Sequence, residues 1–179
     1  MAHIISSERL DLISMTPDVL RACLRRDRSA ASALLGIAVP DEWYDDDGWI
    51  ALRLEQVLEN PDFQPWCLRA IALRASREMI GHIGFHTQPD PPYLAEIAPK
   101  GVEFGYTIFA PYRRQGYAAE ASQALMAWAA AQPDVERFVL SISPENGASL
   151  ALAQKLGFVR IGEHIDEEDG LEWIFARQV

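Results

Sequence analysis

Between Pro111 and Ala121 the chain reads Pro-Tyr-Arg-Arg-Gln-Gly-Tyr-Ala-Ala-Glu-Ala, a set of residue types suited to holding a compact anion. Arg113 and Arg114 bring two fixed positive charges whose N–H donors match phosphate oxygens. Gly116 has no Cβ to keep a bulky group away from the backbone. The alanine-rich run that follows, to about Ala131, reads as a helix starting in this turn. Its first-turn N–H groups lack partners within the helix, and the aligned peptide dipoles add roughly half a positive charge there. A strand-like run, Val102 to Phe109, leads into the turn. The whole makes a cradle for a pyrophosphate.

A second polar segment, Ser143 to Leu150, continues into Lys155-Leu156-Gly157-Phe158. Asn146 is an acceptable helix N-cap with Ser149 three residues on, and Gly157 stands where a C′ glycine would stop the helix. Capping alone accounts for those residue types. It does not account for their place directly after a strand and downstream of an anion cradle.

The elements that must position these residues alternate between strand and helix patterns. Ile4 to Met15 alternates as a first strand. Thr16 and Pro17 open a helix to about Arg26, and a short helix covers Arg28 to Leu35. Asp45, Asp46 and Asp47 precede a third helical pattern, Gly48 to Leu58, and read as its cap and solvated face. Trp66 to Arg74 and Glu78 to Thr87 are strands joined by a turn at Ala75 to Arg77. Glu136 to Ser143 is a strand, Asn146 to Leu156 a helix, and Phe158 to Ile165 with Leu171 to Arg177 a closing pair of strands. The class is α+β around one sheet, in a single domain over 1–179.

Composition bounds the function. Sixteen Lys plus Arg against 26 Asp plus Glu leave a net charge of −10, which argues against general nucleic-acid binding. Arg113 and Arg114 are then a small basic island suited to one compact anion. No apolar run reaches the ~20 residues that span a bilayer, and Met1 to Arg9 lacks the pattern of a signal peptide. Cys23 and Cys67 have no metal-like spacing and read as buried thiols of a cytoplasmic protein.

In order and spacing these motifs resemble those of the GNAT superfamily of acyl-CoA-dependent N-acetyltransferases. The branch that includes the ribosomal-protein alanine N-acetyltransferases is the one they are most similar to. Arg113-x-x-Gly116-x-Ala118 matches the family's acyl-CoA signature, and Asn146, Ser149 and Lys155 to Phe158 match its downstream pattern. Ser7 to Leu12 resembles the branch's opening strand, and Gly81 and Gly84 its third, so the similarity spans nearly the whole chain.

The resemblance implies a mixed, mainly antiparallel seven-stranded sheet, flanked by helices and splayed between its fourth and fifth strands. Those strands would be about Val102 to Phe109 and Glu136 to Ser143. It implies acetyl-CoA as co-substrate; no metal is expected, because the four scattered histidines offer no metal spacing. Backbone groups of Tyr106, Thr107 and Ile108 would pair with the pantetheine arm as an added strand does. Arg113, Arg114, Gln115, Gly116, Tyr117, Ala118 and Ala119 would hold the pyrophosphate, and Asn146 and Ser149 would meet the pantetheine or acetyl end. Helix propensity explains the alanines nearly as well.

The chemistry needs a neutral amine. An α-amine with a pKa of about 7.7–8.0 is neutral to roughly a tenth at pH 7, whereas a lysine is neutral to about one part in a few thousand. An N-terminal acceptor therefore asks little of a base. Glu103 is the first choice for that base, against the alternative of an exposed strand carboxylate, with Glu96 in reserve. Many family members place a Tyr four residues before the Gly-Phe pair, but this chain has Ala153 there. Ser149 is the choice to hydrogen-bond the departing thiolate, with its place as an ordinary third helical residue the competing account; Tyr106 is another possible donor. His82 and His86 alternate along a strand and could face a ligand. Trp43, Tyr44 and Trp49 are either core or the wall of an acceptor pocket. Asp166, Glu167, Glu168 and Asp169 form an acidic turn. The expected partner is an amine-bearing acceptor, a protein N-terminus or a small amine, met by a monomer or homodimer without nucleic acid or membrane. A noncatalytic acyl-CoA sensor is the reading from another class.

Overall fold

The computed structural model describes residues 3–44, 48–166 and 170–179. Along the chain come β1 (Ile4–Ser6), β2 (Leu10–Ser14), α1 (Pro17–Leu24), α2 (Arg28–Leu35), α3 (Ile50–Glu59), β3 (Arg69–Leu73) and β4 (Met79–Phe85). Then follow β5 (Gly101–Ile108), α4 (Tyr117–Ala130), β6 (Arg137–Ile142), α5 (Gly147–Lys155), β7 (Val159–Asp166) and β8 (Gly170–Gln178). The strands are ordered β1-β2-β3-β4-β5-β6-β8-β7 in a mixed sheet.

The expected count of seven strands is corrected to eight among the described residues. Ile4 to Met15 is not one strand but a hairpin, because the polar run Ser7-Glu8-Arg9 turns the chain back. The Ser7 N–H donates to the Leu10 carbonyl at 2.8 Å, and the returning strand places Ile4 opposite Ile13. The strands taken as fourth and fifth are therefore β5 and β6. They run parallel, as a pair joined through a helix can, and their register pairs are Gly101 with Arg137, Val102 with Phe138 and Glu103 with Val139. These pairs all lie in the first half of β5, which itself runs on to Ile108.

The chain divides into two units. The first, residues 1–84 and 106–125, carries β1 to β3, most of β4 and the three α-helices between β2 and β3. Helix α1 buries Val19, Leu20, Ala22 and Cys23, α2 buries Ala31 and Leu35, and α3 buries Ile50 and Val57, all in one cluster with Trp43, Phe63 and Met79. Asp27 caps α2 by accepting from the Ala30 N–H at 3.0 Å, and Gly36 ends it in the left-handed conformation. Cys23 and Cys67 are free thiols inside this cluster, as expected, and burial pushes both pKa values up.

The second unit, residues 85–105 and 126–179, carries the first half of β5 with β6, β8 and β7. Phe85 meets the rings of Phe104 and Trp128 at 5.9 and 6.3 Å, and Phe104 meets Phe158 at 6.3 Å. Leu94, Ala98, Val139 and Ile174 form its other apolar cluster. Among the described residues no helix is long and apolar enough to cross a membrane.

Candidate active site

In the first unit, the turn before α4 has the backbone of an anion cradle. Arg114 sits at φ 62° and Gly116 at φ 84°, the left-handed region that turns successive peptides to one side. Residues 113–116 are exposed, while Ala119 and Ala121 are buried against the body of the unit. A Cβ at Gly116 would make only an ordinary contact, 3.4 Å from an Arg9 guanidinium nitrogen, so it is the left-handed dihedral that the glycine answers. Arg113 is partly committed, since its Nε donates to the Ile108 carbonyl at 2.9 Å and ties the turn to the end of β5.

Arg9 braces the turn, a role that sequence reasoning did not assign. Its guanidinium donates to the Gln115 carbonyl at 3.1 Å and lies 4.5 Å from the Tyr117 ring centre. Its Nε meets Glu120 at 2.6 Å, and Glu120 also accepts from the Arg9 N–H and the Ser7 hydroxyl, each at 2.7 Å. Burial works to raise the Glu120 pKa, but those bonds outweigh it and the net shift is downward. The signal was present in Ser7-Glu8-Arg9, but nothing local linked it to a helix more than a hundred residues away.

The backbone of Tyr106 to Ile108 is not uniform. The Phe109 N–H donates to the Ile80 carbonyl at 2.9 Å, and the Thr107 carbonyl faces Gly81 so closely that a Cβ there would stand 2.1 Å from it. Thr107 therefore faces β4, and alternation along the strand turns Tyr106 and Ile108 to the other edge. Of the three residues expected to pair with an added strand, Thr107 has its carbonyl turned toward β4, and the Ile108 carbonyl already accepts from Arg113.

In the second unit, Asn146 caps α5 by accepting from the Ser149 N–H at 3.1 Å. Ser149 is thus the third helical residue, as its competing account held. Ala153 is fully buried on the same helix.

Glu103 is not an exposed strand carboxylate. It is 6% exposed, and its Oε2 accepts from the Tyr93 hydroxyl at 2.9 Å and lies 3.7 Å from His86 Nδ1. Burial alone would raise its pKa; His86, Ser141 and Tyr93 favour the charged form more strongly and bring it down to about 2. A carboxylate so easily kept ionised is a weak proton acceptor, which counts against Glu103 as the base itself. Glu96, the reserve, is exposed in the turn after Tyr93.

The two histidines part company. His82 lies in the first unit against Trp49 and Trp43, ring centres 4.9 and 5.3 Å away, and burial lowers its pKa to about 4. Trp43 is core at 2% exposed, with Tyr44 and Trp49 packed on the same cluster, so they support the core reading. His86 joins Glu103 in the second unit. Asp45 to Asp47 and Glu167 to Asp169 lie outside the described residues. Among the described residues no group of three or more His, Cys, Asp or Glu side chains converges as metal ligands would.

The α+β sheet with a short parallel pair, and the glycine turn opening the next helix, are the arrangement that the sequence resemblance implies for an acyltransferase. The family model of the acetyltransferase (GNAT) domain matches residues 9–159, and the chain belongs to that family. A Bacillus subtilis protein named as an uncharacterized N-acetyltransferase, YjdG, is 27% identical over 158 residues, covering 87% of this chain and 89% of its own length. Mycothiol acetyltransferase from Salinispora tropica is 23% identical over 145 residues, covering 70% of this chain and 45% of its own length. The solved structure of RimL, a ribosomal alpha-N-protein acetyltransferase in complex with coenzyme A, superposes with a TM-score of 0.65 at 22% identity, covering 99% of this chain and 98% of that one.

Proposed function

We propose that this N-acetyltransferase moves the acetyl group of acetyl-CoA to a primary amine, the N-terminal α-amine of a protein or peptide, in the cytoplasm and as a single domain. The observation that carries the donor is the turn itself: Arg114 and Gly116 in left-handed backbone at the start of a 14-residue helix, braced by Arg9. A pyrophosphate is held there by the first N–H groups of α4 and by Arg113 and Arg114, with Gln115, Tyr117, Ala118 and Ala119 shaping the approach. The outward backbone of Tyr106 and Ile108 holds the pantetheine arm. The Asn146 carboxamide oxygen keeps the start of α5 in place, and the Ser149 hydroxyl serves the departing thiolate. Acetyl-CoA supplies an activated acyl carbon and a sulfur leaving group, so the protein has only to bind, orient and accept a proton.

An α-amine acceptor is favoured because it is already partly neutral near pH 7, whereas a lysine is not. The likeness of fold to a ribosomal-protein acetyltransferase supports the same reading. Similarity to mycothiol acetyltransferase supports a small-molecule amine as the second reading. Isothermal titration with acetyl-CoA, joined to thiol release over panels of peptides and small amines, tests both. Saturable binding with release on peptides is expected. Release on small amines alone favours the second reading, and binding without release on any acceptor means an acyl-CoA sensor.

A further inference from the structure

Helix α3 carries more apolar surface than its place in the core requires. Ile50 and Val57 are buried, and Leu54 packs against the same core cluster. Ala51, Leu54 and Leu58, spaced i, i+3 and i+7, make a second apolar stripe along the helix. Helix α1 packs beside α3, and its last residue, Leu24, joins that stripe to line an open groove of about 470 Å³. Leu54 is the floor. The walls face water, with Leu24 42% exposed and Leu58 52%.

The rest of the lining is acidic. Glu55 and Glu59 stand at i and i+4 on α3, a spacing at which like charges repel. They also lie toward the negative end of the helix dipole, and α3 has no basic residue in its last turn to offset it. Neither carboxylate forms an ion pair among the described residues. Folding therefore gains nothing from this arrangement, in which wet leucines lie beside two uncompensated charges. A bound partner of the right chemistry would relieve both costs.

We propose that the groove is a docking site for a cationic amphipathic helix of a partner protein. Leucines at i, i+3 and i+7 of that helix fill the space between Leu24 and Leu58, and lysines or arginines beside them meet Glu55 and Glu59. The same charges disfavour two other occupants. A second copy seated by two-fold symmetry brings its own Glu55 and Glu59 against these. An anionic membrane surface is repelled. None of the six lining residues belongs to the turn proposed to hold acetyl-CoA, so the docking site and acetyl transfer can fail separately.

The test uses the full chain without acetyl-CoA and a probe peptide of about 15 residues, labelled with fluorescein at its N-terminus. The probe has leucines at i, i+3 and i+7 and lysines between them; its counterpart has glutamate in place of each lysine. Anisotropy is expected to show one lysine peptide bound per chain, with a Kd of about 50 μM or tighter. Leu58→Ser should weaken it about tenfold, and Glu55→Lys with Glu59→Lys should weaken it as much and turn the preference to the glutamate peptide. These side chains are exposed, so Tm should hold within about 3 °C in each variant. Absence of saturable binding, equal binding of the two peptides, or a Kd unmoved by either variant overturns the proposal. A dimer in sedimentation that Leu58→Ser dissolves overturns it in favour of a second copy. Binding to phosphatidylserine vesicles that Leu58→Ser abolishes overturns it in favour of a membrane.

Discussion

The turn at Arg113 to Gly116 and the cluster around Glu103 are both polar sites, one in each unit, and they are assembled in opposite ways. The turn's functional groups are consecutive. Its charges, glycine and helix N-terminus occur in one short run, and the strand before them adds only direction. The cluster is collected from the end of β4, a loop, β5 and β6, at His86, Tyr93, Glu103 and Ser141. A contiguous site is exposed and written in local chemistry. A collected site exists only through register and burial, so its residue types look ordinary until the strands are paired.

The first prediction strikes the contiguous site. Gly116→Trp puts a bulky side chain at φ 84° on the face where the anion would approach. Acetyl-CoA affinity should fall more than about a hundredfold by titration calorimetry, whereas Gly116→Ala should cost roughly 1–2 kcal/mol of stability through dihedral strain. Unchanged affinity in the tryptophan variant would dissolve the cradle.

The collected site should show itself in acid. The folded-state pKa of Glu103 is brought below its ordinary value of 4.5 to about 2. A carboxylate shifted downward contributes stability above its unfolded pKa and loses it as pH falls through the folded one. The loss should therefore run from about pH 5 to about pH 2 and amount to something on the order of 3 kcal/mol, read from denaturant midpoints. Glu103→Gln should flatten that slope. A slope equal to the parent's would mean that the carboxylate is not held as described.

Arg9→Ala tests whether the turn is as local as it looks. The substitution leaves the turn's own residues intact but removes the donors to Gln115 and Glu120 and the cation over Tyr117. Acetyl-CoA affinity should drop about tenfold with kcat nearly preserved at saturation. An affinity equal to the parent's would make the turn self-sufficient and the comparison sharper.

Much of the fold was legible because hydrophobic period and helix signals are local. The second helix was expected at Arg28 to Leu35 and is observed there, and Asn146 and Gly157 bracket the last helix as expected. The hairpin hidden in Ile4 to Met15 was missed, since apolar residues on both sides of Ser7-Glu8-Arg9 imitate one alternating strand. Thr107 was included with its neighbours because the pattern does not say which edge of a strand a carbonyl faces. His82 and His86 read as a pair on spacing alone. Burial among tryptophans claimed one, and register against Glu103 claimed the other.

Asn146 gives the smallest and most discriminating contrast, because it belongs to both readings at once. Its side-chain oxygen caps α5 at the Ser149 N–H, so Asn146→Ala should cost about 1 kcal/mol, or roughly 2–4 °C in Tm for a chain of this size. Asn146→Asp keeps an acceptor at the cap and adds negative charge at a helix start, so stability should return to the parent's value. If Asn146 also meets the pantetheine or acetyl end through its amide group, the aspartate variant should recover stability while acetyl-CoA affinity stays lowered. Recovery of both would reduce Asn146 to a cap, leaving Ser149 as the residue of α5 that carries chemistry.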